Sequence, residues 1–264
     1  MNKKQIKQNF KEEKKQIKTE FKQQKIQAKQ KYNEQLKNCL SNEKKCDDKP
    51  KKPVINPPKR SVLEEVGNAV THGVGSLFAV FALVLMLVHA DTTQKVIAAC
   101  VYAFGMVVLF TMSCLYHSFR HGSAVKRVFR RFDYSSIYLL IGATFAPILL
   151  CYVGGTFGLV FFIVQWAIIA VGITFVGVFG PTKLKAMHLI LYLVIGWSGL
   201  AFMPQMLGNN PGLFWWILGG GVVYSLGIIP YALRKKCSHF IWHFFVLAGA
   251  VVQWFGIYNF IYLI

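Results

Sequence analysis

Seven apolar runs, each about twenty residues or longer, decide what this chain can fold into. A helix rises about 1.5 Å per residue, so about 20 apolar residues cross the roughly 30 Å hydrocarbon layer of a bilayer. The runs cover approximately 66–90, 95–117, 133–153, 157–180, 184–204, 213–233 and 240–263. They are too long and too continuous for a soluble core. Polar and turn-forming stretches separate them: 91–95, the basic stretch 118–132, Gly154-Gly155, Gly180-Pro181, Gly208-Asn209-Asn210-Pro211 and Arg234-Lys235-Lys236. The expected fold class is all-α, a seven-transmembrane helix bundle.

Charge fixes the expected direction of the spans. The chain is 54% hydrophobic yet carries a net charge of +19. Residues 1–60 hold nineteen Lys/Arg and seven Asp/Glu, and beyond them the only acids are Glu64, Glu65, Asp91 and Asp133. Basic residues gather before span one, after span two (Arg120, Lys126, Arg127, Arg130, Arg131), after span four (Lys183, Lys185) and after span six (Arg234, Lys235, Lys236). The alternate loops carry only Lys95. Cytosolic loops are enriched in Lys and Arg, so this alternation predicts a cytosolic N-terminus and an outside C-terminus. That is opposite to the topology of G-protein-coupled receptors. The chain begins Met-Asn-Lys-Lys and stays polar, so no signal peptide is expected. The six cysteines form no CxxC and are expected to be free thiols.

Three organisational pieces follow: a basic repeat helix at 1–37, a flexible Pro/Lys-rich linker at 38–60 and a membrane domain at 61–264. The repeat reads KKQIKQNFKEE, KKQIKTEFKQQ, KIQAKQKYNEQ. Its 11-residue period is close to three helical turns, so Ile6/Phe10, Ile17/Phe21 and Ala28/Tyr32 form a nearly straight stripe. The expected partner is the anionic cytosolic leaflet; the rivals are a weak coiled coil or a solvated helix. No nucleic-acid partner is expected for an arm with few aromatics tethered to a membrane body.

Ionisable residues within spans are costly and mark functional sites. Ser113 and His117 form an i,i+4 pair on one face at the end of span two, and His239 and His243 form another at the start of span seven. Asp133 opens span three. With the expected topology, all five lie within about one or two helical turns of the cytosolic surface. Three histidines with an open fourth position make a catalytic zinc arrangement. Such an ion lowers the pKa of bound water to about 7 and polarises a carbonyl. Asp133 is a candidate to take the water's proton or to ligate directly, and Ser113 to orient a ligand or donate to an oxyanion. The bland alternative is interfacial polar residues that meet headgroups and loops. Cys114 and Cys237 are further candidate ligands. His89, His121 and His188 are expected to be structural. His72 lies in the polar string Glu64 to Gly73, expected to cap span one and line a cytosolic cavity.

The strings EEVGNAVTHGVG (64–75), SCLYH (113–117), FDYSSIYLLIGATFAP (132–147), YLVIGWSGL (192–200), GGVVYSLGIIPYA (220–232) and HFIWHFFVLAGA (239–250) together resemble the hemolysin III family. This is the bacterial branch of the progestin and adiponectin receptor (PAQR) superfamily. The resemblance covers nearly the whole body but not residues 1–60. It implies a seven-helix body with N-in, C-out topology, located in the cell membrane. It also implies zinc held by His117, His239 and His243, with Asp133 contacting the zinc-bound water and Ser113 in the same S-x-x-x-H motif. The superfamily is similar to alkaline ceramidases, whereas the family name reflects cytolytic activity.

Two functions follow as expectations. One is a zinc-dependent hydrolase of lipid amide or ester bonds, with membrane lipids as partners. The other is a non-enzymatic pore former or receptor-like protein in which zinc fastens helices two, three and seven.

Overall fold

The computed structural model describes Glu12, Thr19, Glu20 and residues 22–37, 56–233 and 235–264. It divides into two units, Met1–Asn56 and Pro57–Ile264. In the first, residues 22–37 are helical and largely exposed, with Tyr32 and Leu36 partly covered. Ile6, Phe10, Ile17 and Phe21 of the repeat stripe lie outside the described residues, as does most of the expected linker.

Among its described residues the second unit has seven helices long and apolar enough to cross a membrane: α1 Val62–Val88, α2 Thr93–Ser118, α3 Ala124–Val153, α4 Gly155–Phe179, α5 Lys185–Asn209, α6 Pro211–Ala232 and α7 Ser238–Tyr262. Side-chain caps set several starts. Ser61, Thr92, Ser123 and Asn210 each accept a hydrogen bond from the backbone N–H three residues on. Each satisfies a donor that the first helical turn leaves orphaned. Pro211 occupies the first position of α6, where its missing N–H costs nothing. Gly154 closes the turn between α3 and α4 at φ +63° and ψ −170°, a backbone state that favours glycine.

Consecutive helices pack side by side, and α7 returns to pack on α1 as well as α6. Gly105 of α2 faces the Ala143 side chain and the Leu139 carbonyl of α3, leaving no room for a Cβ. Gly220 of α6 likewise meets Gln253 and the Gly249 carbonyl of α7. Small residues let transmembrane backbones approach closely, and here both contacts are made within the chain.

Polarity is arranged for lipid. Large apolar side chains such as Val80, Phe81, Ile163, Val164, Ile190 and Val194 are exposed. Asn68, His72, Ser113, His117, Lys126 and His243 are buried. Two helices leave α geometry partway. In α3, the segment Pro147–Val153 is a π-helix beginning at the proline, which cannot donate to the turn behind it. In α5, Ser198–Phe202 is a 3₁₀ turn.

One expected boundary moves. The basic stretch 118–132 is not a long loop: α3 starts at Ala124, capped by Ser123. Asp133 therefore lies nine residues into α3 rather than at its opening. The cause is that Lys126 and Arg130 are buried, so a segment too charged to count as a span is packed as its first turns.

Candidate metal centre

α2 supplies His117 near its last turn, and α7 supplies His239 and His243 on its first two turns. One ring nitrogen from each of the three lies within 4.8 Å of the others. Among the described residues this is the group able to hold a metal.

His117 is held by Glu65, which Lys126 holds in turn. Its Nδ1–H donates to Glu65 Oε2 at 2.6 Å, and the Asn68 amide lies 3.3 Å from the same nitrogen. The other Glu65 oxygen meets Lys126 Nζ at 3.1 Å. Lys126 also donates to the Phe119 carbonyl at 2.9 Å, and its ammonium stands 4.9 Å from the centre of the Tyr116 ring. Because Nδ1 carries the proton, Nε2 presents its lone pair, and that atom is buried with no hydrogen-bond partner. A carboxylate behind a ligating imidazole fixes its tautomer and raises its basicity.

The two α7 histidines point Nε2 toward Nε2 at 3.3 Å. Two lone pairs so placed need a cation or a shared proton between them. Tetrahedral zinc with Zn–N bonds of about 2.0–2.1 Å holds its ligand nitrogens about 3.3 Å apart. The orphaned His117 Nε2 and the facing pair therefore fit a nitrogen-bound metal. His72 from α1 stacks on His243 with ring centroids 3.8 Å apart, and neither of its nitrogens has a hydrogen-bond partner.

A cavity of about 190 Å³ opens beside this group, with His72, Ser113, Asp133, His239 and His243 at one end. Asp133 lies beside the Ser113 hydroxyl and within electrostatic reach of His117. Asp133 lies outside the three-histidine group and lines the cavity beside it. Neither Cys114 nor Cys237 belongs to the group. Cys114 Sγ faces Gly73 of α1, and Cys237 is exposed with a left-handed backbone at φ +61°. Cys100, Cys114, Cys151 and Cys237 are free thiols.

The remaining histidines take other partners. His188 Nδ1 hydrogen-bonds with Tyr138 Oη at 2.9 Å and lines the cavity wall. His121 Nε2 meets the Pro57 carbonyl at 3.0 Å, and His89 Nδ1 meets the Leu85 carbonyl at 3.0 Å.

Sequence reasoning missed Glu65, Asn68 and Lys126. Ser61, not the acidic string, caps α1. The available signal was spacing: positions 65, 68 and 72 share one helical face.

A family model described as "Haemolysin-III related" matches residues 60–254, which contain the whole site. The chain belongs to the haemolysin-III family. It is 36% identical to "Hemolysin-3" of Bacillus cereus over 199 residues, 74% of this chain and 90% of that protein. It is 32% identical to "Hemolysin-3 homolog" of Bacillus subtilis (strain 168) over 200 residues, 74% of this chain and 93% of that protein. It is 30% identical to the human "Monocyte to macrophage differentiation factor" over 215 residues, 77% of this chain and 87% of that protein. These likenesses join the haemolysin-III family to the wider PAQR superfamily. With its seven apolar helices, this haemolysin-III protein is a multi-pass cell-membrane protein.

Proposed function

We propose that this haemolysin-III protein is a zinc-dependent hydrolase of lipid amide or ester bonds, with its site in the cytosolic leaflet. The observation that carries the reading is a three-histidine group, with His117 and His243 buried and His239 partly so, flanked by Asp133 and Ser113 at one end of an apolar cavity. On α3 the lining runs from Asp133 to Ile148 and on α7 from His239 to Gln253. Both stretches correspond to about 21–22 Å of helix. One leaflet's hydrocarbon is about 15 Å deep, so the cavity is long enough for a lipid tail.

His117, His239 and His243 would hold the ion, which supplies Lewis acidity toward the carbonyl and activates water. The chain's own residues do the rest. Glu65 keeps the His117 proton on Nδ1, and Lys126 neutralises and anchors Glu65. Asp133 accepts a proton from water as the water oxygen attacks the carbonyl carbon. Ser113 donates a hydrogen bond to the oxygen that gains charge. Asp133 then returns the proton to the leaving nitrogen or oxygen as the C–N or C–O bond breaks, giving an amine or alcohol and a carboxylic acid, which ionises by passing its proton to the amine or to water. The apolar walls hold the tail and keep bulk water from the site.

The test is hydrolysis of a panel of lipid amides and esters by purified, zinc-loaded protein. Turnover should be present in the parent and fall by about 10²–10⁴-fold in Asp133→Ala, with metal content unchanged. Absence of turnover in both would sink the hydrolase.

A second reading is a non-enzymatic membrane protein, pore-forming or receptor-like, with a structural metal. It is favoured by the origin of the ligands: they tie α2 to α7, with α1 drawn in through Glu65. Bound zinc with no turnover, together with dye leakage from liposomes that Asp133→Ala leaves intact, would select it. In either reading the basic arm associates with the anionic leaflet through its Lys-rich faces.

A further inference from the structure

We propose that the deep end of the cavity is a second polar subsite, which recognises a hydroxyl or keto oxygen on the lipid chain near the bilayer midplane. This rests on the reading of the cavity as a lipid-chain site and names the substrate class: lipids oxygenated partway along the tail.

Polar side chains from four helices line or back the deep half of the cavity. Tyr102 of α2 is eleven residues before Ser113, and Thr144 of α3 is eleven residues after Asp133. Gln253 of α7 is ten residues beyond His243. Each offset is about 15–16 Å of helix, half the hydrocarbon thickness. Tyr224 of α6 packs its ring over Gly249 of α7 and lies close to Tyr102, which in turn lies beside Thr144. Thr144, Tyr224 and Gln253 line the same cavity as Ser113 and Asp133. Tyr102 stands behind them, fully buried.

Their hydrogen bonding is incomplete. Among the described residues, the hydroxyls of Tyr224 and Tyr102 have no partner of normal geometry. Thr144 donates to its own helix at the Leu140 carbonyl and lies within hydrogen-bonding reach of Tyr102, which leaves one lone pair of its oxygen to accept from an occupant. Gln253 reaches the Ile217 carbonyl only at 3.5 Å. A hydroxyl without a partner is costly at a depth where no bulk water compensates. An oxygen on the occupant satisfies the set: Tyr224 donates to it, and Thr144 or Gln253 accepts from it if it is a hydroxyl.

The depth also gives the position of that oxygen. An extended chain advances about 1.2 Å per bond, a third of the roughly 3.6 Å of an extended residue. About 15 Å therefore separates the carbonyl at Ser113 and Asp133 from roughly the twelfth carbon.

The experiment is direct binding to the purified full-length protein. The probes are stearic acid, stearic acid hydroxylated at about the twelfth carbon, and stearic acid hydroxylated beside the carboxyl. The mid-chain hydroxy acid should bind about tenfold more tightly than the other two, the value of one added hydrogen bond. Tyr224→Phe should abolish that preference and leave stearate affinity unchanged; Thr144→Val should weaken it. Equal affinity for the three acids, or a preference that survives Tyr224→Phe, overturns the subsite. The comparison among the acids needs no variant of the subsite, so misfolding of Tyr224→Phe does not blunt it. A preference with no hydrolysis of any lipid removes the hydrolase and keeps the subsite; hydrolysis without preference does the reverse.

Discussion

Glu65 divides its two oxygens between His117 at 2.6 Å and Lys126 at 3.1 Å, and this division sets the behaviour of the site at the residue scale. Glu65→Gln keeps the shape but loses the charge that opposes Lys126 and polarises the imidazole. Metal affinity, read by chelator competition, should fall about 10–100-fold. Lys126→Met should act differently, because it leaves a partly buried carboxylate without its counter-charge; the expected loss is about 1–3 kcal/mol of stability, read by thermal unfolding in a membrane mimic. His239→Ala and His243→Ala should each abolish stoichiometric metal in elemental analysis. Retention of the ion by either would place it elsewhere. The three histidines stood out in the sequence because His239 and His243 repeat at i,i+4 and His117 makes the same spacing with Ser113 at the end of another apolar run. The Glu65–His117 bond was not, since the partners are 52 residues apart and only the packing of α1 on α2 joins them.

At the scale of elements, close backbone approach does what loop length does in soluble bundles. Gly105 lets α2 lie against α3, which brings Ser113 opposite Asp133. Gly105→Leu has to push past the Leu139 carbonyl and the Ala143 side chain. It should cost about 1–3 kcal/mol or more and lower metal retention in the same preparation, as measured by unfolding and metal content together. Helix existence was readable from apolar run length, and the start of α3 was not. Hydropathy assigns charged residues to loops, whereas Lys126 and Arg130 are buried in helix. That is also why the depth of Asp133 had to come from the structure. The midplane residues Tyr102, Thr144, Tyr224 and Gln253 were equally hidden, because they come from four separate apolar runs that only helix packing brings together at one cavity.

On the scale of the whole molecule, apolar groups face outward and polar groups are collected at the end bearing the basic loops. The Lys/Arg bias predicts that this end is cytosolic. A reporter fused at Ile264 should behave as exported, and one fused at the N-terminus as cytosolic; the reverse pair would invert the site's leaflet. Metal should also hold the bundle together as a linked ligand. At a free concentration of about 100 times its dissociation constant, it contributes about 2.7 kcal/mol. Chelation should therefore lower the unfolding temperature of the parent but not of His243→Ala. The long apolar cavity has one more consequence, for handling the protein. A detergent tail has the same chemistry as a lipid tail and is present in great excess in a micellar solution. It will occupy the chamber by mass action and mask ligands that bind there. Transfer from micelles to nanodiscs of plain phospholipid should thus raise apparent affinity for the hydroxylated probe, and short-tailed detergents should interfere less than long-tailed ones.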